Sequence, residues 1–189
     1  MGVRSRPRDR PPARAAVRMA AATAAALLLS GCGLLGHAGQ NDPEVMTVTS
    51  AEFGHGVSIP AEYTCRGDGK SPPLAWSGAP ANTKALALVM DDAGTPINPY
   101  VYWIVFNIST ETPDIQAGRV PPGALVAQNS RGGSGYAAPC PDGRHGYRFT
   151  VYALNAPLQL PQGASLTAAT SAIASHAIGY GRLPAFATP

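Results

Sequence analysis

The chain has 189 residues, 45% of them hydrophobic and 13% charged, which suits one ordinary domain with a tail. Its formal net charge of +3 is concentrated at the start, where Arg4, Arg6, Arg8, Arg10, Arg14 and Arg18 precede the first long apolar run. Without residues 1–31, which hold six of the fourteen Lys and Arg and one of the eleven Asp and Glu, eight cations face ten anions. The remaining net charge of −2 excludes a nucleic-acid footprint as the meaning of the basic composition.

Those arginines form a charged n-region, Met19 to Leu29 an apolar h-region, and "LSGC" (Leu29 to Cys32) a small-residue processing site. The apolar run is well short of the roughly 20 residues a spanning helix needs, so it reads as a signal peptide over 1–31. The tetrad resembles the lipobox of bacterial lipoproteins, which implies lipidation of Cys32 and attachment to the cell membrane from the extracytoplasmic side. The alternative is an ordinary secretory signal cut nearby. Residues 32–44, with Gly and Pro and no periodicity, read as a tether that could span about 40 Å when extended. With Cys32 assigned to lipid, Cys65 and Cys140 remain as a pair in an oxidising compartment, and a disulfide between them is expected. Two separate buried thiols are the alternative.

The globular part is expected over 45–189. "VMTVTSAEF" (45–53) is rich in β-branched residues, whereas "KALALVM" (84–90) and "VYWIVFNI" (101–108) are apolar on both alternating faces, as strands covered on both sides are. "YRFTVYAL" (147–154) puts Tyr147, Phe149, Val151 and Ala153 on one face and Arg148 and Thr150 on the other. With 19 prolines and 21 glycines, many between these runs, the fold class is mainly β, a sandwich or barrel with long loops. One helix is expected from Ser165 as N-cap through Leu166, Ala169, Ile173 and Ala177, closed by Gly179 at C′. His176 lies on or beside its apolar face and reads as a structural histidine with a satisfied ring.

The chemistry-bearing residues gather in "APCPDGRHGY" (138–147) and around "KALALVMDD" (84–92). Cys140 and His145 lack the second ligand pair that structural zinc needs, and His37, His55 and His176 are scattered. Cysteine–histidine hydrolysis needs a free thiolate, which a disulfide at Cys140 removes. There is no G-x-S-x-G elbow. "NSRGGSGY" (129–136) could present backbone N–H groups to an anion but lacks the ending of a phosphate-binding P-loop. Neither metal nor cofactor is expected. Asp91 and Asp92 end an apolar strand at a polar rim, where exposed turn aspartates are the plainer reading.

Four blocks in order, "IPAEYTCRGDGKSPPLAWSGAP" (59–80), "KALALVMDD" (84–92), "YWIVFNI" (102–108) and "GYAAPCPDGRHGYRFTVYALN" (135–155), resemble the phosphatidylethanolamine-binding protein family in its bacterial, Raf-kinase-inhibitor-like branch. The resemblance implies a sandwich of two antiparallel sheets with a C-terminal helix and a small pocket for phosphorylated headgroups or other anions. Carried over by position, the pocket takes Asp91 or Asp92, Tyr102, Trp103, Pro139, His145 and Tyr147. Two departures matter. "DDAGTP" keeps only the leading acid of the family's DPDAP segment, and Tyr102 stands where the family has histidine; tyrosine can donate one hydrogen bond but does not become a cation near neutral pH. The expected function is a membrane-tethered, non-enzymatic binding protein for a small anionic or phosphorylated ligand. Its rivals are a protein-interaction module inhibiting a protease or kinase through "DDAGTPINPY" (91–100), and an enzyme using His145 for acid–base work.

Overall fold

The computed structural model describes residues 45–94 and 99–189. The signal peptide, lipidated Cys32 and tether expected over 1–44, and four residues of the 91–100 segment, lie outside the described residues.

Among the described residues, eight strands form two antiparallel sheets. β1 (Thr47–Thr49), β2 (Leu74–Ser77) and β5 (Asp114–Ile115) make a small sheet in the order β1-β2-β5. β3 (Ala85–Asp92), β4 (Val101–Ile108), β6 (Leu125–Val126), β7 (His145–Leu154) and β8 (Ala177–Ala187) make the larger one, ordered β6-β4-β3-β7-β8. The sandwich expected from the sequence is therefore present.

Alternation along β3 accounts for the layers. Leu86, Leu88 and Met90 face the small sheet and pack with Trp76, Trp103 and Phe149, while Ala85 and Ala87 face outward and pack with Ile104, Phe106 and Ile173. The outward face is covered by α1 (Leu166–His176) and by Leu158 in the connection before it. That is why β3 and β4 are apolar on both faces: one side fills the sandwich, the other takes a helix. β7 keeps the expected division, with Tyr147, Phe149, Val151 and Ala153 in the inter-sheet core.

The helix starts as its sequence predicts, Ser165 accepting a hydrogen bond from the Ala168 N–H at 3.2 Å. Its end differs. It stops at His176, Ala177 is already extended, and Gly179 lies in β8 opposite Ala153 instead of at a left-handed C′ position. Pairing with the ten-residue β7 outweighs a local capping signal, because each residue added to the ladder gains a backbone partner and a buried neighbour. Gly181 of β8 serves close packing: a Cβ there would collide with the Met46 carbonyl just before β1. Nδ1–H of His176 donates to the Ala172 carbonyl at 3.0 Å, so this histidine is satisfied within its own helix, as a structural residue should be.

β4 skips register against β3 between the Leu86–Ile108 and Leu88–Val105 pairs, and Asn107 in that gap has φ +56. Asparagine tolerates this conformation better than other side chains, and here it is also used. Its Nδ2 donates to the Leu158 carbonyl at 2.9 Å, and its Oδ1 accepts from the Leu158 N–H at 2.7 Å, tying the helix connection to the sheet. Asn107→Ala is expected to lose about 2–3 kcal/mol, the sum of two hydrogen bonds and an unfavourable φ. Asn107→Gly, which relieves only the φ, should lose less; the two urea midpoints check this.

Candidate ligand-binding site

Antiparallel pairing brings the C-terminal end of β3 beside the N-terminal ends of β4 and β7. Asp91 stands opposite both Val101 and Arg148, and Asp92 opposite Tyr147. Three segments far apart in sequence thus deliver polar side chains to one end of the large sheet.

The two aspartates separate there. Asp92 follows Leu88 and Met90 on the inner face and is buried, at 8% exposure. Its Oδ1 accepts the Gly94 N–H at 2.7 Å and its Oδ2 lies 3.4 Å from Nδ1 of His145. Asp91 points to the outer face. It receives two hydrogen bonds from the Arg148 guanidinium, that from Nε at 3.0 Å, and borders a crevice of about 170 Å3 against Ile173 of α1 and Ala177 of β8. The hydrogen bond to Asp91 holds the Arg148 pKa above its ordinary value, against the opposing effect of burial. Asp91 is therefore removed from the predicted pocket, since neighbouring residues on a strand face opposite ways.

Tyr102 reaches the same side as Asp92 through a second irregularity. β4 shifts register between the Met90–Trp103 and Asp91–Val101 pairs, so consecutive residues Tyr102 and Trp103 both pack on the inner core. The Tyr102 ring lies 5.3 Å from the Tyr147 ring, edge-on, and 4.9 Å from Tyr100. Trp103 is only 1% exposed and packs edge-on against Tyr136 at 5.5 Å, so it underlies the cluster and offers almost no surface to a ligand. Tyr147, also 1% exposed, is likewise floor rather than wall. Both were expected among the ligand-binding residues of the pocket. Strand alternation and the bulge turn their rings into the sandwich.

Burial first, then the Asp92 charge, raises the Tyr102 pKa; burial first, then Tyr102, raises that of Tyr147. Burial also raises the pKa values of Tyr136, whose hydroxyl donates to the Tyr63 carbonyl at 2.6 Å, and of Tyr152.

His145 is the accessible member, its side chain 43% exposed. Its Nδ1 faces Asp92, and its Nε2 lies 3.3 Å from Oδ1 of Asp142 three residues earlier. Only a doubly protonated ring can donate to both carboxylates at once. Asp142 was not among the residues singled out from the sequence. Its spacing from His145 within one short loop was the available signal. The loop is anchored from behind: Cys140 is joined to Cys65 by the expected disulfide, and the buried Pro139 accepts the Cys65 N–H through its carbonyl at 3.0 Å. Closing 75 residues stabilises the fold by up to about 4 kcal/mol on the chain-entropy model. Pro139 is thus part of the scaffold.

The glycine-rich loop 129–136 flanks this end, and the N–H groups of its first half are already used within the fold. The N–H groups of residues 129 to 132 are bonded to Gly133 O, Val101 O, Asn129 Oδ1 and Asn129 O respectively. Ala137 N–H donates to Tyr102 O at 2.9 Å, which pins the loop's exit to β4. Arg131 is exposed beside Tyr102, where its charge opposes the rise in the tyrosine pKa, and it donates to Ala138 O at 3.4 Å. Among the described residues no group of three His, Cys, Asp or Glu side chains is arranged to hold a metal ion.

A family model described as phosphatidylethanolamine-binding protein matches residues 49–186. The chain belongs to this family. A "Putative lipoprotein LppC" of Mycobacterium tuberculosis is 43% identical over 143 residues, 74% of this chain and 71% of the relative. A UPF0098 protein of Methanothermobacter thermautotrophicus is 38% identical over 144 residues, 73% of this chain and 95% of the relative. Among solved structures, a phosphatidylethanolamine-binding protein homolog from Chlamydia trachomatis, CT736, superposes with a TM-score of 0.70 at 32% identity, covering 77% of this chain and 99% of its own. Escherichia coli YbcL, described as a new member of the mammalian PEBP family, superposes at 0.71 with 25% identity and the same coverages. In this member of the phosphatidylethanolamine-binding protein family the cluster of Asp92, Tyr102, His145 and Tyr147 stands on the shared fold, while Asp91 does not join it.

Five tyrosines with raised pKa values, Tyr63, Tyr102, Tyr136, Tyr147 and Tyr152, bind their protons more tightly in the folded than in the unfolded chain. Their contribution to stability is complete below the ordinary value of 10.0 and is lost as pH rises beyond it. In an alkaline titration, phenolate absorbance from Tyr63, Tyr102, Tyr136, Tyr147 and Tyr152 should appear above pH 10 together with loss of β-structure. Tyrosines that all ionise near pH 10 in a folded protein would contradict the burial described.

Proposed function

We propose that the chain is an extracytoplasmic, lipid-anchored binding protein without catalytic activity, and that it seats a small anionic or phosphorylated ligand at the open end of the large sheet. His145 donates to the ligand's anionic group, Tyr102 adds a hydroxyl, Asp92 orients the imidazole, and Tyr147 and Trp103 form the floor. The observation that carries this reading is the convergence of Asp92, Tyr102 and His145 from three strands onto one spot, with His145 left open to solvent. Catalysis is disfavoured by the cysteine: Cys140 is committed to a disulfide, and the nearest imidazole is bracketed by carboxylates rather than poised on a nucleophile.

Calorimetric titration with phosphoethanolamine is expected to give binding that weakens about tenfold or more in His145→Ala, the loss of a charge-assisted hydrogen bond. Equal binding by both proteins would remove His145 from the seat.

Anchoring rests on the "LSGC" tetrad and on the name of the mycobacterial relative. Cys32→Ser is expected to move the protein from the membrane fraction to the soluble one and to abolish incorporation of labelled fatty acid. Unchanged fractionation would point to a different mode of attachment.

A further inference from the structure

Both nitrogens of His145 face carboxylates of the chain itself, and the two carboxylates differ in character. Asp92 is a fixed partner: it ends β3, its side chain is 11% exposed, and its other oxygen is held by the Gly94 N–H. Asp142 is not fixed. Its side chain is 99% exposed, and its hydrogen bonds among the described residues are limited to the 3.3 Å contact with Nε2 of His145. Nε2 is the nitrogen on the solvent side, and an imidazole offers it only one N–H.

We propose that Asp142 is an internal competitor for the ligand's anionic group and so a specificity-determining residue of this seat, an inference that rests on the binding role given above to His145. A phosphate or carboxylate oxygen needs the same Nε2–H that the Asp142 carboxylate accepts. The competitor stays close because Cys140, two residues earlier, is stapled to Cys65, which keeps its effective concentration at the imidazole high. It can leave without strain because nothing else holds it. With a doubly protonated His145 the trio of Asp92, Asp142 and His145 still carries a net −1, so a simple anion meets both an occupied donor and like charge. A ligand that carries an ammonium beside its phosphate supplies the displaced Asp142 with a new partner, and it suffers less from the competition. The seat thereby discriminates against free phosphate in favour of amine-bearing phosphoesters.

The test titrates inorganic phosphate and phosphoethanolamine into the wild type, Asp142→Asn and the double variant Asp142→Asn with His145→Ala. Because Asp142 is fully exposed, its substitution should leave the fold intact, which thermal unfolding checks. Asp142→Asn is expected to bind phosphate about tenfold more tightly than the wild type, a charge-assisted contact's worth. Phosphoethanolamine should gain less, and the double variant should lose the gain. Phosphate affinity that is unchanged or lower in Asp142→Asn overturns the competitor role, as does a gain that survives in the double variant. If the wild type nevertheless binds phosphoethanolamine and His145→Ala does not, the seat itself stands. Absence of binding of either probe to any of these proteins overturns both.

Discussion

The ladder between β3 and β7 is the constraint on which the other features depend. It runs without a break from the Ala85–Leu154 pair to the Asp92–Tyr147 pair. Because β3 is buried on both faces, a slip of one residue would exchange its entire inner and outer sets, moving Asp92 into the helix-covered layer and Asp91 into the sandwich. The apolar content of both faces makes that exchange costly through the packing of Leu86, Leu88 and Met90 against Trp103 and Phe149. The aspartates are thus sorted by the core, and only then by their own chemistry.

On that fixed ladder β4 is allowed two irregularities, one at each end, and both have consequences. At one end Asn107 adopts a left-handed backbone and holds Leu158, closing the outer layer over the sheet. At the other, the shift beside Asp91 brings Tyr102 onto the side of Tyr147. The loops that surround this end are held by covalent and hydrogen-bonded ties as well as by the packing of Tyr136 on Trp103. The disulfide and the Pro139 carbonyl secure one side, and the internally bonded turn at Asn129 secures the other. Rigid loops around a half-exposed imidazole suit a binding seat, since little ordering remains to be done when a ligand arrives.

Much of this was readable in the residues. Strand positions followed from alternation in 84–90, 101–108 and 147–154, the helix start from Ser165, and the cysteine pair from counting. β8 was not readable, because "IGYGRLPAFA" combines two glycines and a proline that locally signal turns. It becomes a strand by pairing with β7 along its whole length, with Pro184 tolerated at a sheet edge that donates no ladder bond there. The site was half legible. Asp92, Tyr102 and His145 are brought together, but Asp91, Trp103 and Pro139 turned out to serve the outer crevice, the core and the loop scaffold. A motif names positions along the chain, and it does not say which way a bulge will turn a ring.

The sequence by itself determined the family and the two-sheet class, and it left Cys65 and Cys140 as the expected pair, because these follow from local pattern, residue counts and the order of motifs. Only the tertiary structure decided which of two adjacent carboxylates meets His145, and that Asp142 occupies the imidazole's open side. Both depend on strand register and loop path, which long-range packing sets and no short window of residues contains.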